Sequence, residues 1–332
     1  MTLPWSQVHL IAAREAERAF RDLAVDTSRR IDPFDALQAA GVLVIRRPLD
    51  GLAGMYLPGD PARGDRPGVL INVLHPISKQ RFSAAHELAH HRRDREIVLD
   101  VETEWVARGS ELLTDQERIA EAFAAWFLMP KRLVTATLQH LGLRAEYLDA
   151  EAAYSLSLEL GTSYAATVRH LTDLRLIDAA RRDALLHVAP QTIKTGLEAL
   201  QALRDAWRDI WLLRSPDPER RIAVQEGDAI VVEVPEAPSS GYIWQMGPAS
   251  DGLTLIRDEY RAPDSEASLG GGGVHRFLFR VETPGQREVR LEMRRPWQRG
   301  ARPAEFRHVE IAAAAKPAPG MVHPRMLLPT SA

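Results

Sequence analysis

The sequence predicts an α+β chain in two parts: a mainly helical domain with a small β-sheet, followed by an all-β sandwich. Three observations carry this reading. Up to about residue 213 the apolar residues recur at helical spacing, with three short strand-like runs among them. Beyond residue 221 they alternate, or run together in short stretches punctuated by Gly and Pro, as strands do. Between the two regimes stands Ser215-Pro216-Asp217-Pro218, which breaks a helix. The 332 residues are too many for one typical domain and suit two. The expected division is 1–190 for the first domain, 191–220 for a helical connector and linker, 221–311 for the sandwich, and 312–332 for a flexible Ala/Pro-rich tail.

Composition narrows the class. Hydrophobic content of 45% and charged content of 26% are ordinary for globular proteins, and a formal net charge of −3 supplies no basic field for nucleic acid. The chain has no cysteine, which excludes disulfides and thiolate chemistry and suits a reducing compartment. The N-terminus lacks a signal-peptide pattern, and no apolar run is long enough to span a bilayer. A cytoplasmic protein without membrane contact is expected.

The first domain opens with a helix over 6–23, capped by Ser6, with Val8, Ala12, Ala16 and Phe20 on one face. Asp32-Pro33 starts a second helix, a capping Asp followed by Pro at the first helical position, and Gly41 ends it. Strands follow at 42–46, 54–57 and 69–73. Then comes Arg81-Phe82-Ser83-Ala84-Ala85-His86-Glu87-Leu88-Ala89-His90. In a helix, His86 and His90 stand on one face and can share one metal ion, while Glu87 is placed to act as general base on a water. A solvated surface helix could carry the same residues. Phe82, Ala85, Leu88 and Ala89 argue against that, because they give the helix an apolar face and leave buried imidazoles in need of partners. His91 points about 100° away from His90, and Arg92 and Arg93 are expected to face solvent.

A catalytic metal site takes a third protein ligand. The helix that starts at Thr114 and is closed by Pro130 offers Glu117, 27 positions beyond His90 (117 − 90), and one turn on, Glu121. Thr114-x-x-Glu117 also reads as a capping box, in which Glu117 only satisfies a backbone N–H.

These residues resemble the ImmA/IrrE family of bacterial and phage metallopeptidases. The resemblance rests on Arg81-Phe82-Ser83 leading into His86 to His90, then Glu117-x-x-Ala120, then Phe123-Ala124-Ala125-Trp126-Phe127-Leu128-Met129-Pro130. It implies a zincin-like fold, metal ligands His86, His90 and Glu117, and Glu87 as general base. Glu121 stands where the family often has Asn. The implied cofactor is zinc, with manganese as the alternative. The implied substrate is a protein, typically a helix-turn-helix repressor whose cleavage serves stress response and transcription regulation. In zinc peptidases a sheet edge beside the motif helix commonly holds the extended substrate, and the strand near 69–73 or 54–57 is expected to do so here.

Residues 148–177 read as helix, turn, helix, with the turn at Gly161-Thr162-Ser163 and Val168, Leu171 and Leu174 on an apolar face. DNA-binding units have this form and so do plain helical pairs. The second helix carries Arg169, His170 and Arg175 as its cations, so packing is expected and direct nucleic-acid binding is not. A long amphipathic helix is expected over 191–213, with Leu200, Leu203, Trp207, Ile210 and Trp211 on a stripe that packs on a neighbouring domain or completes the first core.

In the sandwich, strands are expected at 229–234, 274–281 and 288–293. Three loops stand out: Pro238-Ser239-Ser240-Gly241-Tyr242, Gly270-Gly271-Gly272-Gly273 and Arg295-Pro296-Trp297. Each reads locally as turn chemistry, although a loop-borne Trp is typical of a binding anchor. In this order they resemble the chagasin family of cysteine-peptidase inhibitors, with Ala237 in place of an Asn and Ser239-Ser240 in place of two Thr. That resemblance implies an immunoglobulin-like sandwich whose three loops wedge into papain-like proteases. Together the resemblances imply a zinc metalloendopeptidase carrying a chagasin-like module for protein recognition or gating. The alternative is an inhibitor or sensor of papain-like cysteine proteases.

Overall fold

The computed structural model describes residues 2–60, 62–94, 98–101, 114–203, 207–214, 218–247, 251–263, 272–298, 300 and 302–322. The chain divides into two compact units, Met1–His187 with Pro317–Ala332, and Val188–Lys316. In chain order the second unit is therefore an insertion into the first.

The first unit begins with α1 (Trp5–Asp22), which buries Val8, Ala12, Ala16 and Ala19. Pro4 rather than Ser6 occupies its N-cap. α2 (Pro33–Ala39) is capped by Asp32, whose Oδ1 accepts from Phe34 N at 3.0 Å. A sheet follows from β1 (Leu43–Arg47), β2 (Leu52–Leu57) and β3 (Gly68–Asn72), then the long helix α3 (Ile77–Arg93) and strand β4 (Val98–Val101). α4 (Asp115–Leu128), α5 (Lys131–His140), α6 (Ala150–Leu160), α7 (Tyr164–Asp173) and α8 (Ala179–Leu186) complete the helical part.

Two sequence expectations change here. β2 and β3 are interior strands, because the sheet order is β13-β1-β3-β2-β4, where β13 is Gly320–Met321. Neither is an edge open to strand addition. β4, downstream of the motif helix, pairs with β2, and β13 from the far end of the chain pairs with β1 through Ile45↔Met321. The region expected to be a flexible tail thus contains a strand of this sheet, and Gln38 Nε2 donates to Val322 O at 2.6 Å beside it. Residues 323–332 lie outside the described residues.

The helix-turn-helix-like segment packs into the first unit. α7 buries Tyr164, Ala166, Thr167, Val168, His170 and Leu171. The Leu-Met-Pro end of α4 receives it: His170 Nε2 donates to Met129 O at 3.1 Å. Gly161 caps α6 at φ 68°, in the left-handed region glycine adopts without strain. Its carbonyl accepts from Arg81 Nε at 2.9 Å, and Arg81 Nη2 reaches Ile31 O at 2.5 Å. A buried Arg just before the motif therefore ties α3 to the α6–α7 turn. Arg92, expected in solvent, instead pairs with Glu15 and Asp22 of α1 at 2.9 and 2.8 Å.

The second unit opens with α9 (Pro190–Gly196), a single 3₁₀ turn at Leu200–Ala202 and strand β5 (Ile210–Leu213). The long amphipathic helix is not formed. Leu197 caps α9 and Glu198 follows at φ 48°, which no helix continues through. Ile210, Trp211 and Leu213 are buried by parallel pairing of β5 with β7 rather than by a helical stripe, and Trp207 is exposed. The remaining strands are β6 (Glu219–Gln225), β7 (Ala229–Glu236), β8 (Ile243–Met246), β9 (Leu253–Arg261), β10 (Gly273–Val281), β11 (Gly285–Arg294) and β12 (Glu305–Ala314). They form two four-stranded sheets, β5-β7-β10-β9 and β6-β12-β11-β8. This is the β-sandwich of an α+β protein. Ile230, Val232, Phe277, Phe279, Val289, Leu291, Trp244 and Ile311 are among its buried side chains.

Candidate active site

α3 presents His86 and His90 one turn apart, both buried, with Glu87 fully buried between them in sequence. Their Nε2 atoms lie 3.0 Å apart. The helix forms here because its flanks are small and apolar: Ala84, Ala85, Leu88 and Ala89 seat it against the sheet and α4 with almost no exposed surface.

α4 brings the carboxylate. Thr114 Oγ1 accepts from Glu117 N at 3.2 Å, so Glu117 sits in a capped first turn as the sequence pattern suggested. Its side chain turns to the histidines, with Oε2 at 3.2 Å from His86 Nε2 and Oε1 at 3.6 Å from His90 Nε2. Donor atoms of His86, His90 and Glu117 all lie within 4.8 Å of one another, the one such cluster among the described residues. Glu121, the rival from the sequence, is half-buried and outside the cluster.

Asp94 was not singled out by sequence reasoning. It caps the C-terminus of α3, and its Oδ2 accepts from His90 Nδ1 at 2.7 Å. The bond fixes the tautomer in which Nε2 offers its lone pair to the cluster. The signal was present: a carboxylate four residues after a motif His faces the same side of a helix. Burial, then the neighbouring His86, lower the pKa of His90 against the pull of Asp94 and Glu117, which keeps the ring neutral and able to ligate. Burial raises the Glu117 carboxyl, but the hydrogen bond and charge of His86 outweigh it and leave the group below its usual range. His91 faces elsewhere, with Nδ1 at 3.0 Å from Tyr56 Oη.

Two imidazole nitrogens and one carboxylate oxygen that converge on one point form a donor set suited to a divalent cation.

In the second unit, two of the three sequence-flagged loops touch. Pro238–Ser240 is a 3₁₀ turn ending at Gly241, φ 74°. A Cβ on Gly241 would lie 2.6 Å from the Trp297 ring, so the glycine is what lets Trp297 lie on this loop. The Arg295 guanidinium stacks 4.5 Å from the Tyr242 ring centroid. Trp297 remains 66% exposed despite these contacts. Gly272 abuts the base of the first loop, where a Cβ would meet Glu236 O at 3.1 Å, while Gly270 and Gly271 lie outside the described residues. Beneath the loops, buried Glu236 on β7 accepts from Trp244 N on β8 at 2.6 Å and from His275 Nδ1 on β10 at 2.9 Å, joining the two sheets.

Comparison with known families agrees with both halves. Residues 37–171 match the IrrE N-terminal-like domain of peptidase family M78. Residues 223–311 match the chagasin family of peptidase inhibitors, I42. The chain therefore joins an IrrE-like domain to a chagasin-like one. Amoebiasin-2 of Entamoeba histolytica is 23% identical over 95 residues, covering 28% of this chain and 77% of that protein. Among solved structures, the cysteine protease inhibitor EhICP2 of Entamoeba histolytica is 19% identical, covering 32% of this chain and 97% of that one, with a TM-score of 0.30. PbICP-C, solved in complex with falcipain-2, is 12% identical over 32% of this chain and 98% of that one, with a TM-score of 0.24. Among the described residues, no helix is long and apolar enough to cross a membrane.

Proposed function

We propose that this protein is a zinc-dependent endopeptidase that cleaves a specific regulatory protein, such as a helix-turn-helix repressor in the cytoplasm. The observation that carries the reading is the convergence of His86, His90 and Glu117 on one point, beside Glu87 on the same helix. Zinc held by these three supplies Lewis acidity and lowers the pKa of water, and manganese is the alternative ion. Asp94 orients His90. Glu87 takes the proton of the attacking water and delivers it to the leaving amine. The match to the IrrE-like peptidase domain supports the assignment.

The test is a comparison of new protein N-termini in host lysate treated with the zinc-loaded protein or its Glu87→Ala variant. Termini present with the wild type, absent with the variant and abolished by a chelator are expected. Identical termini in both samples, or cleavage that survives in Glu87→Ala, would refute the mechanism.

A second reading concerns the sandwich. Trp297, exposed yet braced on Gly241 beside the Arg295–Tyr242 stack, is an anchor fit for a papain-like cysteine protease. Titration of papain with the wild type and Trp297→Ala tests it: inhibition by the first and not the second is expected. If neither inhibits, the module serves substrate capture or gating. Replacing residues 188–316 by a Gly/Ser linker, with 317–322 kept because β13 belongs to the first sheet, separates these. Faster cleavage then means gating, and slower cleavage means recruitment.

A further inference from the structure

We infer that Gly54 is a positioning residue for Glu87: the space left by its missing side chain is what lets the Glu87 carboxyl occupy its place against β2. The inference rests on the peptidase reading and adds to it a residue that lies outside the motif.

A glycine inside a strand weakens it and needs a reason. Conformation is not the reason here, because Gly54 does not have the positive φ that the turn glycines Gly41, Gly51 and Gly64 have. Any residue could adopt its backbone. The reason is a close approach. A Cβ built on Gly54 lies 2.8 Å from Glu87 Oε1, 3.3 Å from Leu70 O and 3.4 Å from Glu87 Cγ. Ordinary contact begins near 3.4 Å, so an added methyl group must push the carboxyl back by about 0.6 Å (3.4 − 2.8).

The strand cannot yield instead. Gly54 is paired on both sides, with Ile71 of β3 and Asp100 of β4. The pairing with β4 is also irregular at this point: between Leu52 and Gly54, two residues of β2 are matched by one of β4. Irregularities of this kind re-aim a strand beside a functional group. Glu87 lies on a helix whose flanking residues are almost wholly buried, so it has little room to retreat without leaving its position. A shift of a few tenths of an ångström in a general base lowers turnover, because proton transfer needs hydrogen-bond distance to the water.

The test is a double-mutant cycle with two readouts, made on the full-length protein. Gly54→Ala, Glu87→Ala and the double variant are melted without metal and titrated with zinc. Gly54→Ala is expected to lower the melting temperature by about 3–6 °C in the wild-type background and by less than about 1 °C in the Glu87→Ala background, because removing the carboxyl removes the crowding. Zinc affinity should stay within about threefold in both, since the ligands are untouched. Appearance of the Glu87-dependent protein termini in host lysate should slow at least tenfold with Gly54→Ala. An equal penalty in both backgrounds, or a crystal structure of Gly54→Ala with Glu87 in its wild-type place, overturns the inference. Absence of any cleavage by the wild type would count against the peptidase reading alone, because the melting cycle and the crystal structure judge Gly54 without it. If Gly54→Ala does not fold while the double variant does, the crowding is confirmed in its strongest form; if neither folds, the strand and not Glu87 demands the glycine, and the inference fails.

Discussion

Replacing Asp94 by alanine should weaken zinc binding without touching a ligand. The carboxylate accepts from His90 Nδ1 at 2.7 Å, and the two side chains are 8% and 0% exposed, so water does not take its place. Three effects follow from its loss. The imidazole can now protonate on either nitrogen, and the tautomer with Nε2–H cannot ligate. The ring loses a partner that makes it a better donor. In the metal-free protein, the buried Nδ1–H loses its acceptor, which costs about 1–3 kcal/mol. Orienting carboxylates of this kind are worth about 10–100-fold in metal affinity, or roughly 1.4–2.7 kcal/mol. Asp94→Asn keeps an acceptor and should lose less than Asp94→Ala. Competition against a chromophoric chelator at neutral pH measures both, with circular dichroism as a check on folding. Wild-type affinity in a folded Asp94→Ala protein would refute the argument that His90 depends on this bond.

Two further outcomes are expected. Arg81→Met removes the guanidinium that bonds Gly161 O and Ile31 O, and leaves both carbonyls buried; a loss of ~3 kcal/mol is expected, visible by calorimetry as a fall of about 6–12 °C, and a loss below about 1 kcal/mol would contradict the bracing role. Asp228, in the turn between β6 and β7, is buried among Asp209 N, Gln225 N and Trp211 Nε1, and burial together with the nearby Asp209 pushes its carboxyl up to about 7 against those three donors. A carboxyl pKa raised above its unfolded value near 3.9 gives stability that is present below about pH 4 and lost as pH rises through about 7. The second unit should therefore be less stable at pH 8 than at pH 5, by up to ~3 kcal/mol, with the dependence flattened in Asp228→Asn; a stability that rises over this range would show the three donors winning.

The sequence by itself determined a good deal. Local rules were enough for the capped helix at Asp32-Pro33, the glycine stop at Gly161 and the change of period after Arg221, because each depends on neighbours a few residues away. The pairing of His86 with His90 was legible for the same reason, as one helical turn sets it. Family likeness added Glu117, which lies on another helix and which spacing alone left level with Glu121.

What only the tertiary structure decided depends on contacts between distant segments. The stripe Leu200, Leu203, Trp207, Ile210, Trp211 has helical spacing, but parallel pairing of Ile210–Leu213 with β7 buries the same side chains in an extended backbone, and tertiary pairing overrides periodicity. The edges of the first sheet could not be read from β2 and β3, because β13 arrives from more than two hundred residues away and β4 from beyond the motif helix. Asp94 carried only its spacing, four residues after His90, and Gly54 carried no marker that separates it from an ordinary strand glycine. Their roles come from what the fold sets against them: a histidine nitrogen at hydrogen-bond distance in one case, and a carboxyl with no room for a methyl group in the other.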